Sequence, residues 1–166
     1  TEFATKVSLV SKSDLLKVSY YEAGRAVVND PDVTGEQVAL VSVLNQDESF
    51  GYTRYETIRN KTGAFTKEEI TFELARLLAG QAAIQLAGLK PSSAWASSLK
   101  EARSLAAVYI LEWGMGEDMA AIALDRDGKP KLSAQKAVKF QAALQQLFGE
   151  AQDLAHKRLQ DRWPLV

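Results

Sequence analysis

Apolar residues recur at helical spacing in four stretches of this chain, with a short β-branched block between the first two. From Leu15 to about Val28, the positions Leu15, Val18, Ala23, Ala26 and Val27 form one stripe with the period of an amphipathic helix. Ser13 or Asp14 is read as its N-cap, because a short side-chain oxygen can accept from the free amides of a first turn. Asn29-Asp-Pro-Asp ends it, since Pro31 disfavours helix in the residue before it. Residues 38–44, Val-Ala-Leu-Val-Ser-Val-Leu, predict a buried strand. Residues 50–58 begin Phe-Gly-Tyr-Thr and alternate, predicting a second strand, and Asn60-Lys-Thr-Gly predicts a loop.

Thr66-Lys-Glu-Glu reads as a capping box, with Thr66 as cap and Glu69 three residues on. The helix it opens runs to about Leu86 through Ile70, Leu74, Leu77, Leu78, Ala82 and Leu86, and Gly88 stops it. Its small residues Ala79, Gly80, Ala82 and Ala83 permit close packing against another element. Lys90-Pro-Ser-Ser predicts a turn. A third helix is expected from about Ala96 to Gly114, with Leu99, Ala102, Leu105, Ala106, Tyr109, Ile110 and Trp113 on one face. Residues 114–132 are rich in glycine and read mostly as loop. A last long helix is expected from Ser133 to about Trp163, with Gly149 inside it as a point of loosening. The pattern as a whole predicts a mainly α fold with a small sheet of two or three strands, in a single domain over residues 1–166.

Composition narrows the chemistry. The chain has 166 residues, 46% hydrophobic and 25% charged, which suits a folded domain with a real core. Its net charge of −1 gives no footprint for nucleic acid or an anionic membrane surface. No apolar run approaches the roughly 18 residues of a membrane-spanning helix. There is no cysteine, which excludes disulfides, thiolate metal sites and cysteine nucleophiles. The opening Thr-Glu-Phe carries no initiator Met and reads as a fragment or cloning remnant. The chain holds one histidine, His156, so a two-histidine zinc site cannot be built, and a Ser-His-Asp triad would have to run through that residue. In the stretch Ala-His-Lys-Arg, His156 reads as a solvated helix residue, and Trp95, Trp113 and Trp163 read as packing residues.

One stretch of the first helix carries a more specific signal. Residues 18–28 read Val-Ser-Tyr-Tyr-Glu-Ala-Gly-Arg-Ala-Val-Val. A zinc peptidase has His-Glu-x-x-His in such a setting, two imidazoles one helical turn apart with a glutamate between them. Here Tyr21 and Arg25 stand in the histidine positions and Glu22 remains. Alone, this is an ordinary amphipathic helix. Further fragments follow it in order: Phe50-Gly-Tyr-Thr, Ala79-Gly-Gln-Ala-Ala-Ile-Gln-Leu, Ser97-Ser-Leu-Lys-Glu-Ala and Trp113-Gly-Met-Gly-Glu. Together they resemble the peptidase domain of the FtsH-type ATP-dependent zinc metalloproteases over nearly the whole chain. The resemblance implies that domain's fold, with the chain ending within or just before its last helical region and without the ATPase module that precedes it.

The resemblance also implies roles. In the family, two histidines of the first helix and an aspartate of a later one hold zinc, and the glutamate is the general base for the bound water. By position, the ligand sites fall on Tyr21, Arg25 and Ser98 and the base on Glu22. A tyrosine protonated at neutral pH is a poor zinc ligand, and a serine hydroxyl is a weak one. A guanidinium offers no lone pair and repels a dication. The expectation is a degenerate site with no active catalytic residue, no zinc and no other cofactor, in which Arg25 fills part of the metal space and pairs with Glu22 three residues away. The reading that follows is an inactive protease-like domain acting through protein partners, either in a homo- or hetero-hexamer with AAA+ protease subunits or as a binder of unfolded or extended segments. Gly51, Tyr52 and Thr53 would then lie on an edge strand able to pair with an extended peptide, or else on a core strand where Tyr52 simply packs. By family analogy the domain would be soluble and sit in the cytoplasm, or in the mitochondrion or chloroplast of a eukaryote. The alternative is a zinc metalloendopeptidase that works through non-standard ligands such as Glu22 or aspartates.

Overall fold

The computed structural model describes residues 11–43, 51–59, 63–120 and 122–166. The expectations for Thr1–Phe3, Leu44, Phe50 and Asn60–Thr62 lie outside the described residues. The order of elements is α1 (Lys12–Val28), α2 (Pro31–Thr34), β1 (Glu36–Ser42), β2 (Tyr52–Thr57), α3 (Lys67–Leu86), α4 (Ala96–Ala107), β3 (Ala123–Leu124), β4 (Pro130–Lys131) and α5 (Ala134–Asp161). Short 3₁₀ turns precede α4 and follow α5, and a π-turn, Val108–Glu112, continues α4.

Helix α3 is the centre of the molecule. Thr66 caps it as expected, its side chain accepting from the Glu69 amide while Glu69 reaches back to the Thr66 amide. From Leu77 to Ile84 every residue is buried. A helix buried all round needs apolar or small residues on its faces, and Leu-Leu-Ala-Gly-Gln-Ala-Ala-Ile supplies them at every position but Gln81, which is buried and polar. Helices α1, α4 and α5 pack around it. The core runs through Val28 of α1, Leu74, Ala75, Ala79 and Ala83 of α3, Ala102 and Ala106 of α4, and Leu147, Ala151, Ala155 and Leu159 of α5.

Helix α1 lies close against α3 because Gly24 faces Ala79 and Ala83. A Cβ placed on Gly24 would sit 2.5 Å from the Ala83 Cβ and 3.0 Å from the Ala79 carbonyl. The chain after α1 is fixed to α3 and α5 by a polar network. Arg76 donates to Glu36 at 2.8 Å and to the Asn29 side chain at 3.2 Å, and also pairs with Glu73. Arg158 of α5 donates to Asp30 at 2.9 Å and to the Asn29 carbonyl at 3.2 Å. This network sets where the β1–β2 hairpin starts.

Several details differ from the sequence reading. The N-cap of α1 is Ser11, whose side chain accepts from the Asp14 amide, so Ser13 and Asp14 lie inside the helix. Asn29 does end α1, but Pro31 then opens the short helix α2 at its first turn, where proline is tolerated. Strand β1 starts earlier than expected, at Glu36, and it is not buried: Ala39, Leu40, Val41 and Val43 are exposed. β-branching favours a strand without saying whether both of its faces are covered; among the described residues, α1 packs against both strands of this sheet and these apolar side chains stay exposed. β1 and β2 pair antiparallel with Val38 opposite Tyr55 and Val41 opposite Thr53, and the register shifts between Val38 and Leu40. The region read as loop holds a second small hairpin, β3–β4, turned at Asp127-Gly128. Gly149 does not interrupt α5, which runs unbroken for 28 residues.

Candidate functional site

Tyr21, Glu22 and Arg25 stand on the flank of α1 that faces the hairpin and the start of α4. The structure brings Ser98 to the same place. The Tyr21 hydroxyl donates to Ser98 Oγ at 2.7 Å, joining residues 77 positions apart. Gly80 makes this reach possible: a Cβ there would lie 2.5 Å from the Tyr21 ring. The phenol therefore passes close against α3 at Gly80 on its way to α4. Burial pushes the Tyr21 phenol above its ordinary 10, against the pull of the Ser98 hydrogen bond and of Arg25. It stays protonated and acts as a donor.

Glu22 is 4% exposed. Its Oε2 accepts from the Thr53 hydroxyl at 2.7 Å and lies 3.8 Å from Arg25 Nη1. Thr53 also reaches the Glu22 carbonyl at 3.1 Å. Burial raises the Glu22 carboxyl above its usual range, while the Thr53 hydrogen bond and the Arg25 charge oppose that rise. The expected Glu22–Arg25 pairing is thus present, at ion-pair and not hydrogen-bond distance. Arg25 is half-buried and turned toward this site, with its Nε enclosed and without an acceptor among the described residues.

Strand β2 carries the other half of the site. Gly51 has φ +150, and a Cβ there would lie 2.6 Å from Val18 and 3.2 Å from Glu22, so a larger residue would push the strand off α1. Thr53 bonds Glu22, and two residues on, Tyr55 donates to the Arg25 carbonyl at 2.9 Å. Burial raises the Tyr55 phenol to about 12, and its ring lies 4.1 Å below the Arg76 guanidinium. Tyr52 pairs with Ser42 in the ladder and is half-buried. Only β1 pairs with β2 among the described residues, which leaves the second backbone edge of β2 without a strand.

Tyr55 and Gly80 were not singled out as site residues from sequence. For Tyr55 the signal was available: it follows Thr53 on the same face of an alternating strand. For Gly80 it was only a small residue among several. His156 takes no part; its Nδ1 is hydrogen-bonded to the Gln152 carbonyl at 2.9 Å within α5. Trp163 packs on the core and stacks on Tyr20, whereas Trp113 is 41% exposed and stacks on Phe65.

The donor set does not fit a zinc ion. Two of the three ligand positions are hydroxyls hydrogen-bonded to each other, and the third carries a fixed positive charge. Glu22 is the one anionic oxygen donor of the cluster, and it is already engaged by Thr53. Among the described residues, no group of three or more histidine, aspartate or glutamate side chains is placed to hold a metal.

Comparison with known proteins places this arrangement in a family. A family model described as peptidase family M41 matches residues 8–162. The chain is 30% identical over 126 residues to the ATP-dependent zinc metalloprotease FtsH of Mycoplasma mobile, covering 75% of this chain and 18% of that protein. It is 25% identical over 150 residues to the ATP-dependent zinc metalloprotease FtsH 1 of Symbiobacterium thermophilum, covering 90% of this chain and 25% of that protein. To the FtsH of Thermotoga maritima it is 27% identical over 125 residues, covering 75% of this chain and 20% of that protein. The chain thus spans a quarter or less of the length of these relatives. Among the described residues, no helix is long and apolar enough to cross a membrane. The chain belongs to peptidase family M41, as a peptidase domain of the FtsH type.

Proposed function

We propose that this domain is a protease-like module that does not hydrolyse peptide bonds through zinc and that acts by protein interaction, in assembly with AAA+ protease subunits. The observation that carries the reading is the Tyr21–Ser98 hydrogen bond with Arg25 one turn away. Where a metallopeptidase of this family would converge three lone pairs on a cation, this chain converges two mutually bonded hydroxyls and a cation of its own. Without a metal, Glu22 has no activated water to deprotonate and no Lewis acid beside it to polarise a carbonyl. Family membership supports the hexameric assembly, and a scaffold that keeps its core while its site changes supports the interaction role. The hairpin edge at Gly51, Tyr52 and Thr53 is the proposed contact for an extended segment of a partner or client protein.

Elemental analysis and a casein cleavage assay on the purified protein test this reading. The expected result is less than stoichiometric zinc and no metal-dependent cleavage. One zinc per chain with chelator-sensitive cleavage would overturn it and establish a metallopeptidase with unconventional ligands.

A further inference from the structure

Arg25 differs from the other enclosed arginines of the molecule. Arg76 is held by Glu73, Glu36 and Asn29. Arg158, whose Nε is also enclosed without an acceptor, has hydrogen bonds to Asp30 and to the Asn29 carbonyl. The Arg25 guanidinium has no hydrogen bond to any described residue. Its one ion-pair partner among the described residues, Glu22 Oε2, lies at 3.8 Å and is committed to Thr53 at 2.7 Å. A guanidinium presents five N–H donors in a planar fork that matches a carboxylate in pairs. Leaving such a group enclosed and under-bonded is unfavourable. One-fifth of the Arg25 side-chain surface is still exposed, and Nε is sealed, so the reachable part belongs to the rest of the side chain.

The surroundings restrict what could approach. Strand β2 is bound to α1 beside Arg25 through Thr53 and Tyr55, and its second edge has no strand partner among the described residues. An extended chain added there would have its own backbone amides and carbonyls matched by the strand. A negative group on that chain would meet a guanidinium without a hydrogen bond to any described residue.

We infer that Arg25 is the receiving group of a carboxylate-binding site, and that its ligand is an extended peptide whose carboxylate docks on the guanidinium beside the β2 edge. The inference rests on the zinc-free reading above, since a bound dication would repel Arg25 from this position. The carboxylate can belong to the C-terminus of the peptide or to an aspartate within it.

The test uses the whole chain, first shown by elemental analysis to be zinc-free, so that a failure here is distinct from a failure of that reading. Three alanine-valine hexapeptides are titrated: one with a free C-terminus, one amidated, and one amidated with a central aspartate. The side-chain Nε–Hε resonance of Arg25 is followed by NMR. The expected result is a saturable shift of that resonance with the free-acid peptide, the aspartate peptide or both, and binding at least about tenfold weaker for the amidated neutral peptide. Whichever acidic peptide binds more tightly identifies the source of the carboxylate. Arg25→Gln, its fold checked by the remaining amide spectrum, should lose that preference, and Arg25→Lys should retain part of it. Equal binding of the neutral and acidic peptides would overturn the inference. So would an Arg25 resonance unmoved by millimolar acidic peptide.

Discussion

Helix α1 meets the rest of the molecule through two faces that differ in kind. On one, Gly24 lies against Ala79 and Ala83 with no polar atom of its side chain to satisfy and no room for an added methyl. On the other, within one turn of Gly24, Tyr21, Glu22 and Arg25 meet Ser98, Thr53 and each other through hydrogen bonds and one long ion pair. The first face works by shape: small residues let two helix backbones approach. The second works by matching donors to acceptors, and the match is incomplete at Arg25. The contrast separates what keeps the fold from what determines chemistry. The first face admits little change without loss of the fold, whereas the second contributes hydrogen bonds that other sets of polar side chains can also make.

Loss of the close-packed face should have the largest effect. Gly24→Val has no flexible neighbour to displace, because Ala83 Cβ and the Ala79 carbonyl belong to the central helix. It is expected to destabilise the fold by about 2–3 kcal/mol in urea denaturation, as overpacking does. Gly80→Ala probes the junction of the two faces. Its methyl must drive the Tyr21 ring off α3, and the expected cost is about 1–2 kcal/mol, from overpacking together with the broken bond to Ser98. The same variant should move the Ser98 amide resonance, which strain within α3 alone would leave in place.

Tyr55→Phe tests the polar face by itself. Losing the hydrogen bond to the Arg25 carbonyl should cost about 1 kcal/mol at neutral pH. The variant should also change the alkaline limb of the stability profile. The folded-state phenol titrates near 12 and the unfolded one near 10. Between those values the folded chain holds a proton that the unfolded chain releases, so stability falls as pH rises through that window. Tyr55→Phe removes this contribution, and denaturation midpoints measured from pH 9 upward should fall less steeply than in the parent. The smallest effect is expected far from both faces. Gly149 lies inside α5 with open space around its Cβ position, so Gly149→Ala should stabilise the protein by about 0.5–1 kcal/mol, read as a raised urea midpoint.

The same contrast explains which features were legible in the sequence. The capping box at Thr66, the largely apolar centre of α3 and the long helix α5 follow from local chemistry and periodicity, and they stand as read. Ser98 could be placed beside Tyr21 only through the family resemblance, because no local rule connects residues 77 apart. The exposure of β1 was misread because Val-Ala-Leu-Val looks the same whether one or two layers cover it. The β3–β4 hairpin was missed although Asp127-Gly128 is a strong turn signal; its strands are too short to show alternation. The π-turn at Val108–Glu112 has no sequence rule to announce it. The orphaned Arg25 Nε depends on the placement of Glu22, Thr53 and the hairpin together, and that is set by packing.

We propose that Tyr21, Arg25 and Ser98 stand at positions that do not hold a metal. The most direct measurement is zinc titration by calorimetry into the metal-stripped protein and into the triple variant Tyr21→His, Arg25→His, Ser98→Asp, which supplies two imidazoles one turn apart and a carboxylate from α4. The expected result is no specific binding by the parent chain and one zinc per chain in the variant. Tight stoichiometric binding by the parent, weakened rather than gained on triple substitution, would contradict it.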